Sequence, residues 1–548
     1  MEKAMLSSAL GPSDIPLLEE TISANLARTV AAHGDQDALV SVEQGLRYTY
    51  REFAGAVDQV AAGLMALDVQ VGDRVGIWSP NCAEWVLVQY ATARIGAILV
   101  TINPAYRVSE LEYVLNQPEI SVLVAAESFS HSDYRGMVED VWDRVPARQV
   151  VYLQTSDWDD LLAGGASVSA DQLAERSGGL RPDDPINIQY TSGTTGFPKG
   201  AVLSHRNILN NGFFVGEACG YTSADRVCIP VPFYHCFGMV LGNLACTTHG
   251  SALVVPAAGF DAAATLRACE QERCTSLYGV PTMFIAELGE PDLDHYDLSS
   301  LRTGIMAGSP CPVEVMKQVV DRMNMSEVTI AYGMTETSPV STQTSVYDSL
   351  DKRVSTVGRA HPHVEVRIVD PETGDSVPRG QAGELMTRGY SVMLGYWDDE
   401  ARTAEAIDDE GWMHTGDLAV MDDDGYVNIV GRIKDMIIRG GENVYPREIE
   451  EYLYRHPDVV EVQVIGVPDA RYGEEIMAWV QLRDGALLDA EDITEFCRGQ
   501  IAHYKIPRYI KFTDEFPMTI TGKIQKYLMR EQSIEELGLG ETAQKRHA

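Results

Sequence analysis

No two of the nine cysteines form a CxxC pair, and none stands at metal-ligand spacing from a histidine. A disulfide framework and a zinc site are therefore not indicated, and the thiols read as reduced core residues. Missing too is any apolar run long enough to cross a bilayer, so the expected class is globular without a transmembrane segment. The N-terminal stretch MEKAMLSSALGPSDIPLLEE carries acids where a targeting helix would carry arginines, which makes the cytoplasm the default compartment. Positive charge is scarce, with 43 Lys and Arg against 80 Asp and Glu and a formal net charge of -37. Such a field repels polyanions and argues against nucleic-acid binding. No solenoid-length repeat or low-complexity tract appears.

What is present is a chain of 548 residues, beyond one compact core, with two or three domains expected. From Asp73 onward strand and helix signals alternate: RVGIWSP, AEWVLVQYATARIGA, ILVTIN, SELEYVLNQ, SVLVAA. A second series runs through RVCIPVP, DAAATLRACEQERC, TSLYGVP, RTGIMAG, CPVEVMKQVVDRMN and VTIAYGM. Both read as doubly wound α/β with parallel sheets. The stretch LLAGGASVSADQLAERSGGLRPDDP between them reads as a polar, glycine-rich connection. After Gly358, VEVRIVD and GELMTRG separated by turn signals indicate a small β subdomain. Beyond GRIKD a mixed α and β pattern marks a C-terminal domain.

The string YTSGTTGFPKG (190–200) follows the strand-like INIQ and precedes a helix that Ser204 can cap. Glycines at 193, 196 and 200 allow close backbone approach to an anion, and the hydroxyls of Thr191, Ser192, Thr194 and Thr195 can donate to it. Lys199 adds a point charge, whereas the P-loop pattern fails because Pro198 precedes that lysine and Gly200 follows it. Without context such a loop is as often structural as functional. A late basic stretch, Lys505, Arg508, Lys511, Lys523, Lys526 and Arg530, reads from charge alone as a solvated face.

The whole string resembles the signature of the adenylate-forming superfamily, and the resemblance runs through most of the chain in the family's order. PFYHCFGM (232–239), GIMAGSP (304–310), AYGMTETSP (331–339), GWMHTGDL (411–418), GRIKDMIIRGGENVYPREIE (431–450) and PMTITGKIQKYLMR (517–530) carry it. IMAGSPCPVEVMKQVV and HYKIPRYIKF are most similar to medium-chain acyl-coenzyme A synthetases. The implied architecture is a large N-terminal domain (1–432) of two doubly wound α/β subdomains plus a small β subdomain, with a small mobile α+β C-terminal domain (433–548). The implied reaction joins a carboxylic acid to ATP as an acyl adenylate, then passes the acyl group to coenzyme A.

By that resemblance, residues 191–199, including Gly193, Gly196 and Phe197, together with Gly308, Ser309, Pro310, Tyr332 and Gly333, would contact the nucleotide. Thr335 would donate to the α-phosphate and Glu336 would hold Mg2+, while Asp417 would take the ribose hydroxyls and Arg432 the ribose or phosphate. Lys523 would stabilise the adenylation transition state. Lys434 would mark the hinge, and Gly440 and Gly441 would approach the pantetheine arm. His235 would gate or line an acyl pocket walled by Phe233, Tyr234, Tyr278, Ile305 and Met306. Taken singly, each is as readily a surface or core residue. Adenylation for a carrier protein or of another oxyanion stays open, as does the oligomeric state, a homodimer included. Amino acid activation is disfavoured because PFYHCFGM lacks an aspartate, and a non-catalytic sensor because Lys523, Glu336 and Asp417 are all retained.

Overall fold

The computed structural model describes residues 5–191, 198–440, 442–519 and 523–539. Helix Ala83–Ile95 shows how the sequence dictates the layering. Its residues are apolar or small apart from Glu84, Gln89 and Arg94, and every one except Arg94 is buried. A helix without a wet face needs neighbours on all sides. Helix Tyr50–Ala66, started by a Thr49–Glu52 capping box, and helix His205–Ala218, started by Ser204, share the layer with it. One continuous apolar core joins these helices to strands of two separate sheets.

The first sheet has seven strands in the order 395–396, 199–204, 185–191, 98–101, 74–78, 120–125, 149–152. Its centre is parallel, and the edge from 185–191 through 199–204 to 395–396 is antiparallel. The second has nine strands, in the order 359–360, 340–343, 327–333, 303–307, 276–279, 226–228, 252–255, 37–41, 46–49. Both doubly wound series read from the sequence are present, and the second sheet also takes strands 37–41 and 46–49 from upstream of Asp73.

The expected connection between the series is instead partly helical, with helices Ser156–Gly164 and Ala170–Gly178. They bury only Trp158, Leu161 and Leu173, too few apolar positions to reveal a period, although the Ser169–Gln172 capping box was legible. The β subdomain is a five-stranded sheet in the order 8–10, 364–369, 383–389, 413–421, 427–432. Strand Ile437–Arg439 then opens a C-terminal sheet with 442–444, 473–482, 459–469 and 509–512. Among the described residues no helix is long and apolar enough to cross a membrane.

Candidate active site

The glycine-rich string lies between two antiparallel strands, Pro185–Thr191 and Lys199–Ser204, with Thr191 opposite Lys199. Residues 192–197, hence Ser192, Gly193, Thr194, Thr195, Gly196 and Phe197, lie outside the described residues, and the strands fix where the string begins and ends. The Tyr113 hydroxyl donates to the Pro198 carbonyl at 3.2 Å. Lys199 Nζ sits 4.7 Å from the centroid of the Tyr396 ring. Tyr396 in turn donates to Glu336 Oε1 at 2.7 Å, and Thr191 Oγ1 reaches the same oxygen at 3.4 Å. Tyr396 is a site residue that the sequence reading missed. It comes from a two-residue strand far from every motif, and no local pattern marks it.

Strand Glu327–Gly333 brings Tyr332 and Gly333 to the parallel sheet's carboxyl end, where ligands of open α/β sheets gather. A β-carbon at Gly333 would lie 1.6 Å from the Pro339 carbonyl oxygen, so this close approach requires glycine. The short turn Thr335–Thr337 follows, with Thr335 and Glu336 both buried. The Tyr332 hydroxyl donates to Asp417 Oδ2 at 2.7 Å, and Arg432 Nε stands 3.3 Å from Asp417 Oδ1. The antiparallel register of 413–421 with 427–432 sets Asp417 opposite Arg432. Burial raises the Asp417 carboxyl, while Arg432 and the Tyr332 hydroxyl oppose the rise.

Strand Thr303–Ala307 ends in Gly308, at φ +89°, followed by Ser309 and Pro310. Above it lies Lys523 of the C-terminal domain, whose Cε would be 3.9 Å from a β-carbon at Gly308. Lys523 keeps some accessible surface, yet the cleft around it is deep enough that burial holds the ammonium below the ordinary lysine range. Arg432 lowers it further, and Cys236, Glu336 and Asp417 act in the opposite sense.

The other members of the late basic stretch are paired within their own domain; Arg508 is exposed and the rest are half-buried. Lys505 pairs with Glu448, Arg508 with Asp469 at 3.2 Å, Lys511 with Glu536 at 2.7 Å, Lys526 with Glu450 at 2.5 Å and Arg530 with Glu474 at 2.9 Å. Those acids belong to the same domain, and Lys523 alone of the six has no such ion pair among the described residues. Lys434 lies in the turn Ile433–Asp435 between the two domains' sheets, and burial lowers it. Gly440 forms the turn of the 437–439/442–444 hairpin and donates to the Tyr472 carbonyl at 2.8 Å, while Gly441 lies outside the described residues.

On the acyl segment, Phe233 is fully buried 5.5 Å from Trp85, and its backbone N–H donates to Asn81 Oδ1 at 2.8 Å. Tyr234 is largely enclosed, and burial raises its hydroxyl. His235 Nδ1 accepts from the Phe237 amide at 3.1 Å, which places any ring proton on Nε2. Burial and then Lys523 push its pKa down to about 3, so the ring is neutral near pH 7. Phe237–Leu244 is a π-helix, a form that concentrates at functional sites. Tyr278 stacks on Phe237 at 5.7 Å and donates to the Leu241 carbonyl at 2.9 Å. Ile305 joins the same core, but strand alternation turns Met306 to the opposite sheet face, beside Cys311 and away from Phe233 and Tyr278.

Groups suited to a nucleotide, an apolar enclosure and a lysine from a second domain thus meet at one cleft, an arrangement fit for an enzyme that activates an acid as a mixed anhydride with phosphate. The chain belongs to the AMP-binding enzyme family, whose profile matches residues 26–397, and the AMP-binding enzyme C-terminal domain matches residues 448–523. The Bacillus subtilis (strain 168) protein YngI, named as an acyl-CoA synthetase, is 51% identical over 95% of this chain and 99% of its own. The mitochondrial medium-chain acyl-CoA ligase ACSF2 of Danio rerio is 46% identical over 96% and 91%. Among solved structures, the anthranilate CoA ligase AuaEII in complex with anthranoyl-AMP superimposes with a TM-score of 0.85, at 27% identity, covering 95% of this chain and 98% of that one.

Proposed function

We propose that this acyl-CoA synthetase activates medium-chain or similarly apolar carboxylic acids. An ATP-dependent acid–thiol ligase by family, it forms acyl-AMP and then acyl-CoA. The observation that carries the residue-level reading is Lys523, held over Gly308 and acting on the same cleft as Glu336 and Asp417.

A carboxylate resists attack by a thiol because its charge is delocalised. Attack of its oxygen on the α-phosphorus of ATP releases pyrophosphate and leaves a mixed anhydride that a thiolate opens, with AMP departing. Charge grows on phosphate oxygens in the first step, and in this assignment the Lys523 ammonium and the Thr335 hydroxyl stabilise it there. Asp417, ordered by Tyr332 and Arg432, takes the ribose diol. Both hydroxyl donors to Glu336 use Oε1, which leaves Oε2 as a hard oxygen ligand suited to Mg2+. When bound there, Mg2+ would neutralise phosphate charge.

The neutral His235, its Nδ1 occupied, lines the acyl entrance beside Phe233, Tyr234, Tyr278 and Ile305 instead of acting as a base. For the second step the domain 433–548 would turn against 1–432 about residues 432–434, withdrawing Lys523 and bringing the Gly440 hairpin toward the pantetheine of coenzyme A. Product analysis with ATP, Mg2+, coenzyme A and a panel of straight, branched and aromatic acids tests the reading. Acyl-CoA and AMP in equal amounts, best with medium straight chains, are expected. Acyl-AMP accumulating unchanged would assign the acyl group to another acceptor.

A further inference from the structure

Cys228 ends strand Arg226–Cys228, Cys269 lies on helix Ala262–Gln271, and Cys274 stands in the turn leading to strand Ser276–Gly279. Sequence spacing does not connect them. The fold does, since their three sulfur atoms lie within 4.8 Å of one another, all fully buried. Among the described residues this is the one His, Cys, Asp or Glu cluster with metal-holding geometry. Four sulfurs around a tetrahedral zinc ion, with Zn–S bonds of about 2.3 Å, stand about 3.8 Å apart, so a modest contraction of this trio completes one face of such a site.

A second observation points to the same place. Glu287, on helix Pro281–Leu288, is 0% exposed, and neither carboxylate oxygen has a hydrogen-bond partner among the described residues. An unpartnered carboxyl group in an apolar interior is costly and asks for a ligand or a function. Its charge acts on Cys228, and the residues around it, Phe284 and Leu288, share one apolar core with all three cysteines.

We propose that Cys228, Cys269 and Cys274 form a buried structural site for a thiophilic divalent cation of the zinc type, with Glu287, whose carboxylate lies outside the 4.8 Å group and would swing toward it, as the fourth ligand. Three thiolates and a borderline-soft ion match in chemistry, and closure by four protein groups marks a structural rather than a catalytic site. The Arg226 guanidinium acts on Cys274 but is itself paired with Asp37 and Glu272. Cys228 and Leu277 pack on one side of the nine-stranded sheet while Val227, Ile229 and Tyr278 pack on the other. The ion would therefore tie together the roots of the two strands that lead into the acyl segment and Tyr278.

The test uses the full-length enzyme expressed with added zinc, desalted, and measured for metal content and by zinc-edge X-ray absorption. A single zinc per chain with a shell of three sulfurs and one oxygen is expected. Cys274→Ser and Cys228→Ser should lose the ion, and Glu287→Gln should exchange it for cadmium faster than the wild type does. Because a serine variant can fail to fold, the wild-type spectrum decides alone. A chain without zinc, a shell of nitrogen and oxygen only, or a disulfide joining two of the three cysteines would overturn the proposal.

Discussion

Lys523 is one of 43 basic residues, and what separates it from the others is where the fold leaves it. Its five neighbours in the late basic stretch are held by acids of their own domain, while Lys523 points into a cleft that destabilises its charge. Only the protonated amine can stabilise phosphate charge, so activity should fall as pH rises through its depressed pKa. The alkaline limb of kcat/KM is expected below the ordinary lysine value of about 10.4, and that of kcat higher, since bound ATP restores the charge. A limb unchanged in Lys523→Arg would remove this assignment. For Asp417→Asn, an acceptor of charge-assisted bonds is lost, and the KM for ATP should rise roughly tenfold or more, on the order of 1.5–3 kcal/mol. Steady-state kinetics at saturating acid would reveal it.

Elements place these residues more narrowly than composition does. The turn after strand Glu327–Gly333 depends on the missing β-carbon at Gly333, and Gly333→Ala should displace Thr335 and Glu336 together. Nucleotide binding should weaken with a clear fall in Tm, whereas an unaltered Kd for ATP would mean that the turn tolerates the clash. Much of this was legible in the sequence: the strands and helices of both α/β series, the Ser204 cap and the order of the motifs. Illegible were elements that owe their form to distant partners. Strand Gly395–Tyr396 is two residues long and becomes part of the site only by adding to Lys199–Ser204. The side to which Met306 points follows from strand pairing across the sheet, and so does the meeting of three separately placed cysteines.

At the scale of the whole molecule, acid stability should carry the mark of buried neutral histidines. Burial pushes His205, His235 and His361 each down to about 3. The unfolded chain binds these protons from about pH 6.5 downward, whereas the folded chain refuses them until about pH 3. Their contribution is thus complete above about pH 6.5 and is lost through the window below it, by up to about 1.4 kcal/mol per pH unit for each group. Calorimetry should show Tm dropping steadily from pH 6.5 toward pH 4, with a shallower slope in His361→Asn. The net charge of -37 repels anionic ATP and coenzyme A, and in the proposed assignment Lys199, Arg432, Lys434 and Lys523 offset that repulsion at the cleft.

In the proposed mechanism one lysine, brought across a domain boundary, serves the first half-reaction and stands aside for the second. Rapid-quench comparison of wild type and Lys523→Ala, started once from ATP and acid and once from supplied acyl-AMP and coenzyme A, tests it most directly. Adenylation is expected to fall by roughly a hundredfold or more while thioester formation changes little. An equal loss in both half-reactions would contradict it.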